Sequence, residues 1–488
     1  MTPSDDARAQ PRTRENSNAA MEQGKRLRPA TLGAYAAMLG AAIAAFFLIR
    51  AHGETLLAPL QSEAPALRSP RAPVDTLKHV LLALVVIVAA SRALGALFRF
   101  LHQPAVIGEV VAGILLGPSL FGAVAPELQT FVLPQAIAPH LSVIAQVGVI
   151  LFMFLVGLEL DTRLLKQRSE ATIAISHASI VVPFVLGSTL ALWLYPKLSS
   201  RDVGFTGFAL FMGVSLSVTA FPVLARILSD RGLSRSRLGT MALACAAVDD
   251  ATAWCLLAFV VSIVRAEASS SFLTLGLTLL YVACMLVFVR PLVGRFVRRQ
   301  ELLGKVGRGA TTVAFLALLA SALVTESIGI HALFGAFLLG AIVPHESLLA
   351  RELTHRIEDF VVVLLLPIFF AFTGLRTQIG LLEGASDWML CLVIIVVACA
   401  GKFGGSAVAG RLTGLGWREA CSLGVLMNTR GLMELVVLNV GLDLGVISPR
   451  LFAMLVIMAV VTTLLTSPLL TLFERRSPAP AHGALRHE

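Results

Sequence analysis

Runs of about twenty predominantly apolar residues recur along this chain, and they constrain its fold more than any other feature. They lie near 31–50, 77–98, 104–121, 139–159, 171–194, 203–228, 238–264, 273–290, 308–326, 330–344, 359–375, 386–410, 420–441 and 451–472. A hydrocarbon layer about 30 Å thick is crossed by about 20 helical residues. Backbone groups in that layer must find partners within the segment or within a closed barrel. Hydrophobic residues make up 57% of the sequence and charged ones only 14%, with a mean hydropathy of +0.83. The expected class is an all-α polytopic membrane protein with about 13 core transmembrane helices and one extra N-terminal helix, 31–50. That first run begins some 30 residues into the chain and exceeds the usual signal-peptide core of about 7–15 residues, which favours a retained helix. Residues 1–30 are expected to be a disordered cytosolic N-terminus and 473–488 a short cytosolic tail.

A net charge of +9 does not point to nucleic acid, because its distribution follows topology. With the N-terminus placed in the cytosol, 28 of the 39 Lys and Arg residues fall on the cytosolic side, among them Arg163, Lys166, Arg168, Arg226, Arg231, Arg235 and Arg237. This is the bias that sets orientation in membranes, and it leaves both termini cytosolic. Two basic residues remain inside helices: Lys402 and Arg430. The six cysteines all sit in apolar segments without metal-ligand spacing, so they read as small core residues.

An internal repeat is visible. "VIGEVVAGILLGP" (106–118) is similar to "ALFGAFLLGAIVP" (332–344), and "LFMFLVGLELDT" (151–162) to "PIFFAFTGLRTQ" (367–378), in the same order. The first unit spans 104–264 and the second 330–472, with linker helices at 273–326 between them. Seven helices separate equivalent positions, so the second unit enters the membrane from the opposite side. Such inverted repeats are typical of secondary transporters.

The fourth helix of each unit is interrupted. In "FMGVSLSVTAFPVLARIL" (211–228) Pro222 removes a backbone hydrogen bond. In "LGVLMNTRGLMELVVLNVG" (423–441) the run Asn428, Thr429, Arg430, Gly431 makes a poor helix centre. Irregular backbone at membrane depth is tolerated where it lines a cavity or is buried in protein.

Immediately after the first break comes "AVDDATAW", with Asp249 and Asp250 inside an apolar run. A carboxylate at the centre of a bilayer costs on the order of 3 kcal/mol even on the lenient scale, and such residues mark ion and proton pathways by default. Neighbours on a helix diverge by about 100°, so the two acids face different surroundings. Lys402, in "CAGKFGGSA", is the candidate charge partner of one of them. An acid pair with an ammonium suits exchange of a monovalent cation for protons, because a carboxylate holds either ligand and their competition couples the fluxes. Thr219, Asn428 and Thr429 offer oxygen near the breaks, or ordinary interhelical hydrogen bonds. Arg430 and Glu434, four apart, read as an intrahelical pair supporting the second break, with gating as the sharper alternative. Glu109 is either on the ion pathway or a water-facing acid at a helix start. Glu159 and Asp161 mark a membrane boundary, and His331 an interface.

With "ACAAVDDATAW", "HALFGAFLLGAIVP", "LLLPIFFAFTGL" and "MNTRGLMELVVLNVGLDLGVIS" added to the broken-helix motifs, residues 77–472 resemble the monovalent cation:proton antiporter-2 family, in its CHX-type and Kef-type branches. The resemblance implies an inverted-repeat Na⁺/H⁺-antiporter-like fold with two crossed broken helices, in a bacterial inner membrane, as a homodimer. It also implies that Asp250 is the principal ion- and proton-binding residue and that Lys402 pairs with Asp249. Asp249 stands where many CHX-type members carry Asn.

The expected function is therefore secondary active exchange of K⁺ or Na⁺ for protons by alternating access. It is not an enzyme, and it needs no cofactor, no metal beyond the transported cation and no nucleic acid. The CHX-like motifs lean toward K⁺ and the Asp-Asp-Lys set toward Na⁺. Two alternatives share the features above: a channel-like cation efflux protein, and a solute carrier on the same scaffold. An intramembrane aspartyl protease is disfavoured, because its two carboxylates must face each other across one water.

Overall fold

The computed structural model describes residues 29–59, 75–159, 170–200, 203–233, 236–265 and 271–474. The expectations for residues 1–28, for Asp161 and the Arg163–Arg168 loop, and for 475–488 lie outside them. Among the described residues there are helices and no strands. In chain order the helices are α1 (Pro29–Gly53), α2 (Thr76–Phe100), α3 (Ala105–Leu116), α4 (Ala138–Glu159), α5 (Glu170–Leu198), α6 (Phe205–Ser217), α7 (Phe221–Asp230) and α8 (Arg237–Arg265). Next come α9 (Ser271–Cys284, continued through a π turn by Arg290–Leu302), α10 (Arg308–Ile328), α11 (Ala332–Ile342) and α12 (Leu348–Phe360, continued through a π turn by Leu366–Arg376). The last are α13 (Gly384–Cys399, a π turn at Ala400–Gly404, then Gly405–Leu412), α14 (Trp417–Met427), α15 (Leu432–Asp443) and α16 (Pro449–Glu474).

Each of the fourteen apolar runs is helical. Eleven described helices are long and apolar enough to cross a membrane, and α14 with α15, bent by 44°, makes a twelfth. The remaining two runs differ from plain spans for local reasons. In 203–228 the chain leaves the helix at Val218–Ala220 and re-enters with Pro222 in the first turn of α7, where its missing N–H costs nothing. In 330–344 only Ala332–Ile342 is helical, because the preceding His331 has a positive φ of 79°. The 104–121 run is also shorter than expected: α3 stops at Leu116, before Gly117-Pro118.

Two pairs of glycines set the packing of the outer helices. A Cβ on Gly113 would meet the backbone of Ala371 at 2.1 Å, and one on Gly374 the backbone of Val110 at 2.3 Å, so α3 and α12 touch backbone to backbone. Gly157 and Gly340 bring α4 and α11 together in the same way, with clashes at 2.4 Å for either added Cβ. Small residues allow this close approach where lipid supplies no hydrophobic driving force.

The breaks lie in the centre. Every residue from Phe208 to Ala220 and from Ser422 to Gly441 is buried. By contrast α9 shows Leu279, Leu280, Val287 and Phe288 on the outside. Around the breaks pack α5, α8, α13 and α16, which place the charged residues described next.

Candidate ion-binding site

The two breaks touch each other. The N–H of Ala220 donates to the carbonyl of Thr429 at 3.0 Å, and the Thr219 hydroxyl lies 3.3 Å from the carbonyl of Met427. Four helix ends thus meet in one buried region: the C-terminal ends of α6 and α14, which carry partial negative charge, and the N-terminal ends of α7 and α15, which carry partial positive charge.

Arg430, from the second break, compensates the end of α6. Its Nη1 donates to the carbonyl of Ser215 and its Nη2 to that of Leu216, each at 2.8 Å. These last-turn carbonyls have no intrahelical partner, so a guanidinium is a suitable cap. Nη1 also donates to Glu434 Oε2 at 2.8 Å, and both side chains are fully buried. The backbone N–H and C=O of Arg430 are both held by the Thr463 hydroxyl of α16. Arg430 and Glu434 do pair as read from the sequence, but the pair joins the break to the first turn of α15, because Arg430 lies outside the helix that begins at Leu432; the cap on α6 is an added role.

Asp249 and Lys402 form the second fully buried ion pair, with Nζ to Oδ2 at 3.1 Å. Lys402 sits in the π turn of α13, where the helix widens by one residue; such turns recur at functional positions. Its ammonium also donates to Thr219 Oγ1 at 2.5 Å, and that hydroxyl in turn donates to Asp249 Oδ2 at 2.8 Å. From α5, Ser176 donates to Oδ1 at 2.7 Å and Ser179 to Oδ2 at 2.5 Å. Asp249 thus accepts four hydrogen bonds, from three hydroxyls and an ammonium.

Asp250, the next residue, accepts none. It is 4% exposed, and among the described residues neither carboxyl oxygen has a hydrogen-bond partner. The N–H of Phe221, at the positive end of α7, faces it without closing a bond of ordinary geometry. A buried carboxylate without donors is an uncommon arrangement in a native protein, and each instance calls for an explanation.

The other expected residues are placed as follows. Thr219 is in the network. Pro222 starts α7 and shapes the break through its backbone. Asn428 donates from Nδ2 to Cys399 Sγ at 3.5 Å, while its buried Oδ1 has no hydrogen-bond partner among the described residues. Thr429 turns away, its hydroxyl on the Leu426 carbonyl. Glu109 is buried on α3, outside this cluster. Ser176 and Ser179 were not singled out in the sequence. Their signal is weak but present: two hydroxyls three apart on one face of an apolar helix. Among the described residues no group of three or more His, Cys, Asp or Glu side chains is arranged to hold a metal.

The comparisons with known proteins agree with this geometry. The model of the sodium/hydrogen exchanger transmembrane family matches residues 82–473. The chain belongs to the sodium/hydrogen exchanger family. It is a multi-pass membrane transporter that exchanges a monovalent cation for protons. It is 45% identical over 410 residues to the Na(+)/H(+) antiporter NhaS4 of Synechocystis sp., covering 84% of this chain and 99% of that one. It is 38% identical to Cation/H(+) antiporter 19 of Arabidopsis thaliana and 37% identical to K(+)/H(+) antiporter 1 of Saccharomyces cerevisiae. Those alignments cover 88% and 76% of this chain but only 54% and 44% of the longer eukaryotic proteins. Among solved structures, the sodium proton antiporter MjNhaP1 from Methanocaldococcus jannaschii matches with a TM-score of 0.52 at 15% identity, over 82% of this chain and 97% of that one. At that identity the match speaks to fold, and it is the antiporter fold expected from the broken helices.

Proposed function

We propose that this exchanger carries K⁺ or Na⁺ against protons by alternating access around the crossed breaks, with Asp250 as the group that holds the two ligands in turn. One observation carries the reading. Of two adjacent buried acids, Asp249 is saturated with fixed donors and a fixed cation, whereas Asp250 has both oxygens open. A group that must bind and release a small cation cannot already be committed to internal partners. Asp249 with Lys402 then serves as a charge-compensated pair that holds α5, α6, α8 and α13 in register at the site. Competition for one carboxylate couples the opposing fluxes, since a conformational step is shifted only by a ligand that binds its two states differently.

The crosswise glycine contacts support reading the chain as two related halves: α3 on α12 and α4 on α11 are equivalent pairs under the 104–264 and 330–472 repeat. Gly108 against the backbone of α2 and Gly335 against that of α10 extend the same relation by one helix on each side. The charge bias of the loops supports cytosolic termini in a bacterial inner membrane, and family resemblance supports a homodimer.

The test uses inside-out vesicles containing the full chain and a pH dye, energised to an acidic interior. K⁺, Na⁺ and Li⁺ are added in turn to the wild type and to Asp250→Asn. The expected result is cation-induced dequenching that falls at least a hundredfold in the variant. Dequenching that survives in Asp250→Asn would remove Asp250 from this role.

A further inference from the structure

Away from the breaks, a cavity with a volume of about 710 Å³ and several charged lining residues lies between the second half of α9 and the turn joining α11 to α12. One wall carries Arg290, Arg295 and Arg298; the other is the Ala341–Ser347 stretch, with His345. Ser347 caps α12 by accepting from the Ala350 N–H, so the positive end of that helix opens at the same wall.

The three arginines fall within an arc of about 140° around α9, at about 100° per residue, and all three line the cavity. Two exposed arginines elsewhere have carboxylate partners, Arg50 with Glu54 and Arg356 with Glu352. Arg290, Arg295 and Arg298 have no ion pair or hydrogen bond among the described residues. The lining also holds two acids, Glu301 and Glu346; the Glu346 carbonyl accepts from Arg351 at 2.7 Å. Orientation in the membrane accounts for basic residues at this end of a helix. It does not account for three of them lining one cavity with two acids, Glu301 and Glu346, and making no ion pair among the described residues.

Depth decides what fills it. At 1.5 Å per residue, α9 from Ser271 to Arg290 covers roughly 28 Å, close to the thickness of a hydrocarbon layer. Arg290 therefore lies at the level of lipid phosphates, and Arg295 and Arg298 just beyond. Guanidinium groups bind phosphate oxygens through paired hydrogen bonds, and basic pockets between transmembrane helices suit anionic headgroups. We propose that this cavity binds the phosphate of an anionic phospholipid, held by Arg290, Arg295 and Arg298 against the start of α12.

The test uses the purified full-length protein in neutral detergent. Thermal unfolding is followed with added phosphatidylglycerol, cardiolipin or phosphatidylcholine, and separately with inorganic phosphate or ATP. The expected result is a rise of several degrees with the anionic lipids and none with the others. The rise should disappear in the triple variant Arg290→Gln, Arg295→Gln, Arg298→Gln and persist in Arg50→Gln. Native mass spectrometry of Arg295→Gln alone, expected to retain phosphatidylglycerol at least tenfold less well than the wild type, gives the same answer if the triple variant does not fold. An undiminished rise in the triple variant, or unchanged lipid retention by Arg295→Gln, would overturn the site. An equal rise with inorganic phosphate or ATP would overturn the lipid as its occupant.

Discussion

Asp249 and Asp250 are consecutive residues on α8, both buried at membrane depth, and their surroundings are opposite. Asp249 faces α5, α13 and the first break, where Ser176, Ser179, Lys402 and Thr219 all donate to it. Asp250 faces the start of α7, where no donor closes a bond. The difference follows from the helix itself: a rotation of about 100° per residue sends neighbours to different walls. On the function proposed above, it also divides two tasks between two identical side chains. A carboxylate held by four donors is a structural anchor; one with open oxygens is free to take a ligand. The Arg430–Glu434 pair lies between the two kinds: the guanidinium donates to the α6 carbonyls and to Glu434 Oε2, while Glu434 Oε1 has no hydrogen-bond partner among the described residues.

The comparison breaks most directly at Lys402. Lys402→Met leaves Asp249 as a buried charge without its cation, and removing one partner of a buried ion pair typically costs about 3–5 kcal/mol. We expect a loss of that size in thermal or denaturant unfolding of the purified protein. Adding Asp249→Asn to Lys402→Met should recover most of it, because the pair is then neutral. A double variant no more stable than Lys402→Met would mean that the pair is not what anchors this site.

Next in size is the α5 side of the same cradle. Ser179→Ala removes a hydroxyl from Asp249 Oδ2 while three donors remain. A hydrogen bond to a charged group contributes about 1.5–3 kcal/mol, so a loss near the lower end is expected, with exchange retained. Ser176→Ala should behave alike, and the two should not be additive, because they share one acceptor group. Exchange lost in either variant with stability intact would move Asp249 from anchor to ligand-binding group.

These serines also show where sequence reading stops. The membrane class, the fourteen helical runs, both breaks and a buried acid beside Lys402 were legible, because each rests on strong local chemistry: long apolar runs, a proline, charges where water is scarce. That the acid is Asp249 was implied by the family resemblance. Ser176 and Ser179 were not legible, since a buried serine in a transmembrane helix more often bonds to its own backbone. Nor was the division of labour between the aspartates. The helical period says that they diverge, but only the packing of α5, α7 and α13 says which one meets donors. The cap that Arg430 places on α6 was hidden for the same reason: Ser215 and Arg430 are 215 residues apart in the chain.

The third prediction concerns pH. If protons and cations compete for Asp250 alone, the apparent KM for the cation rises as pH falls, approaching tenfold per pH unit, or about 1.4 kcal/mol, once the protonated form dominates. The measurement is the initial rate of cation-driven proton release in vesicles clamped at a series of pH values. A limiting slope near one per pH unit fits a single competing carboxylate. A slope near two would mean that the Asp249–Lys402 pair also exchanges a proton with each cation, and the contrast between the two acids would then be one of degree.

The smallest expected effect is the sharpest test of the contrast. Asp250→Asn keeps the shape of the side chain and removes a charge that has no partner to lose, so nothing in the packing around α7 and α8 is left unsatisfied that was satisfied before. Stability should change by less than about 1 kcal/mol, the centre of the range for point substitutions, because no hydrogen bond among the described residues is lost. A gain is as compatible with this as a small loss, because an isolated buried charge is itself unfavourable. The same substitution at Asp249 should cost several times more, since Asn offers an NH₂ where four donors expect lone pairs. Unfolding of the two variants side by side, in one detergent and at one pH, reads the difference without reference to transport. If Asp250→Asn proves as destabilising as Asp249→Asn, Asp250 has structural partners in the folded protein, and the open carboxylate no longer distinguishes the transport site from its anchor.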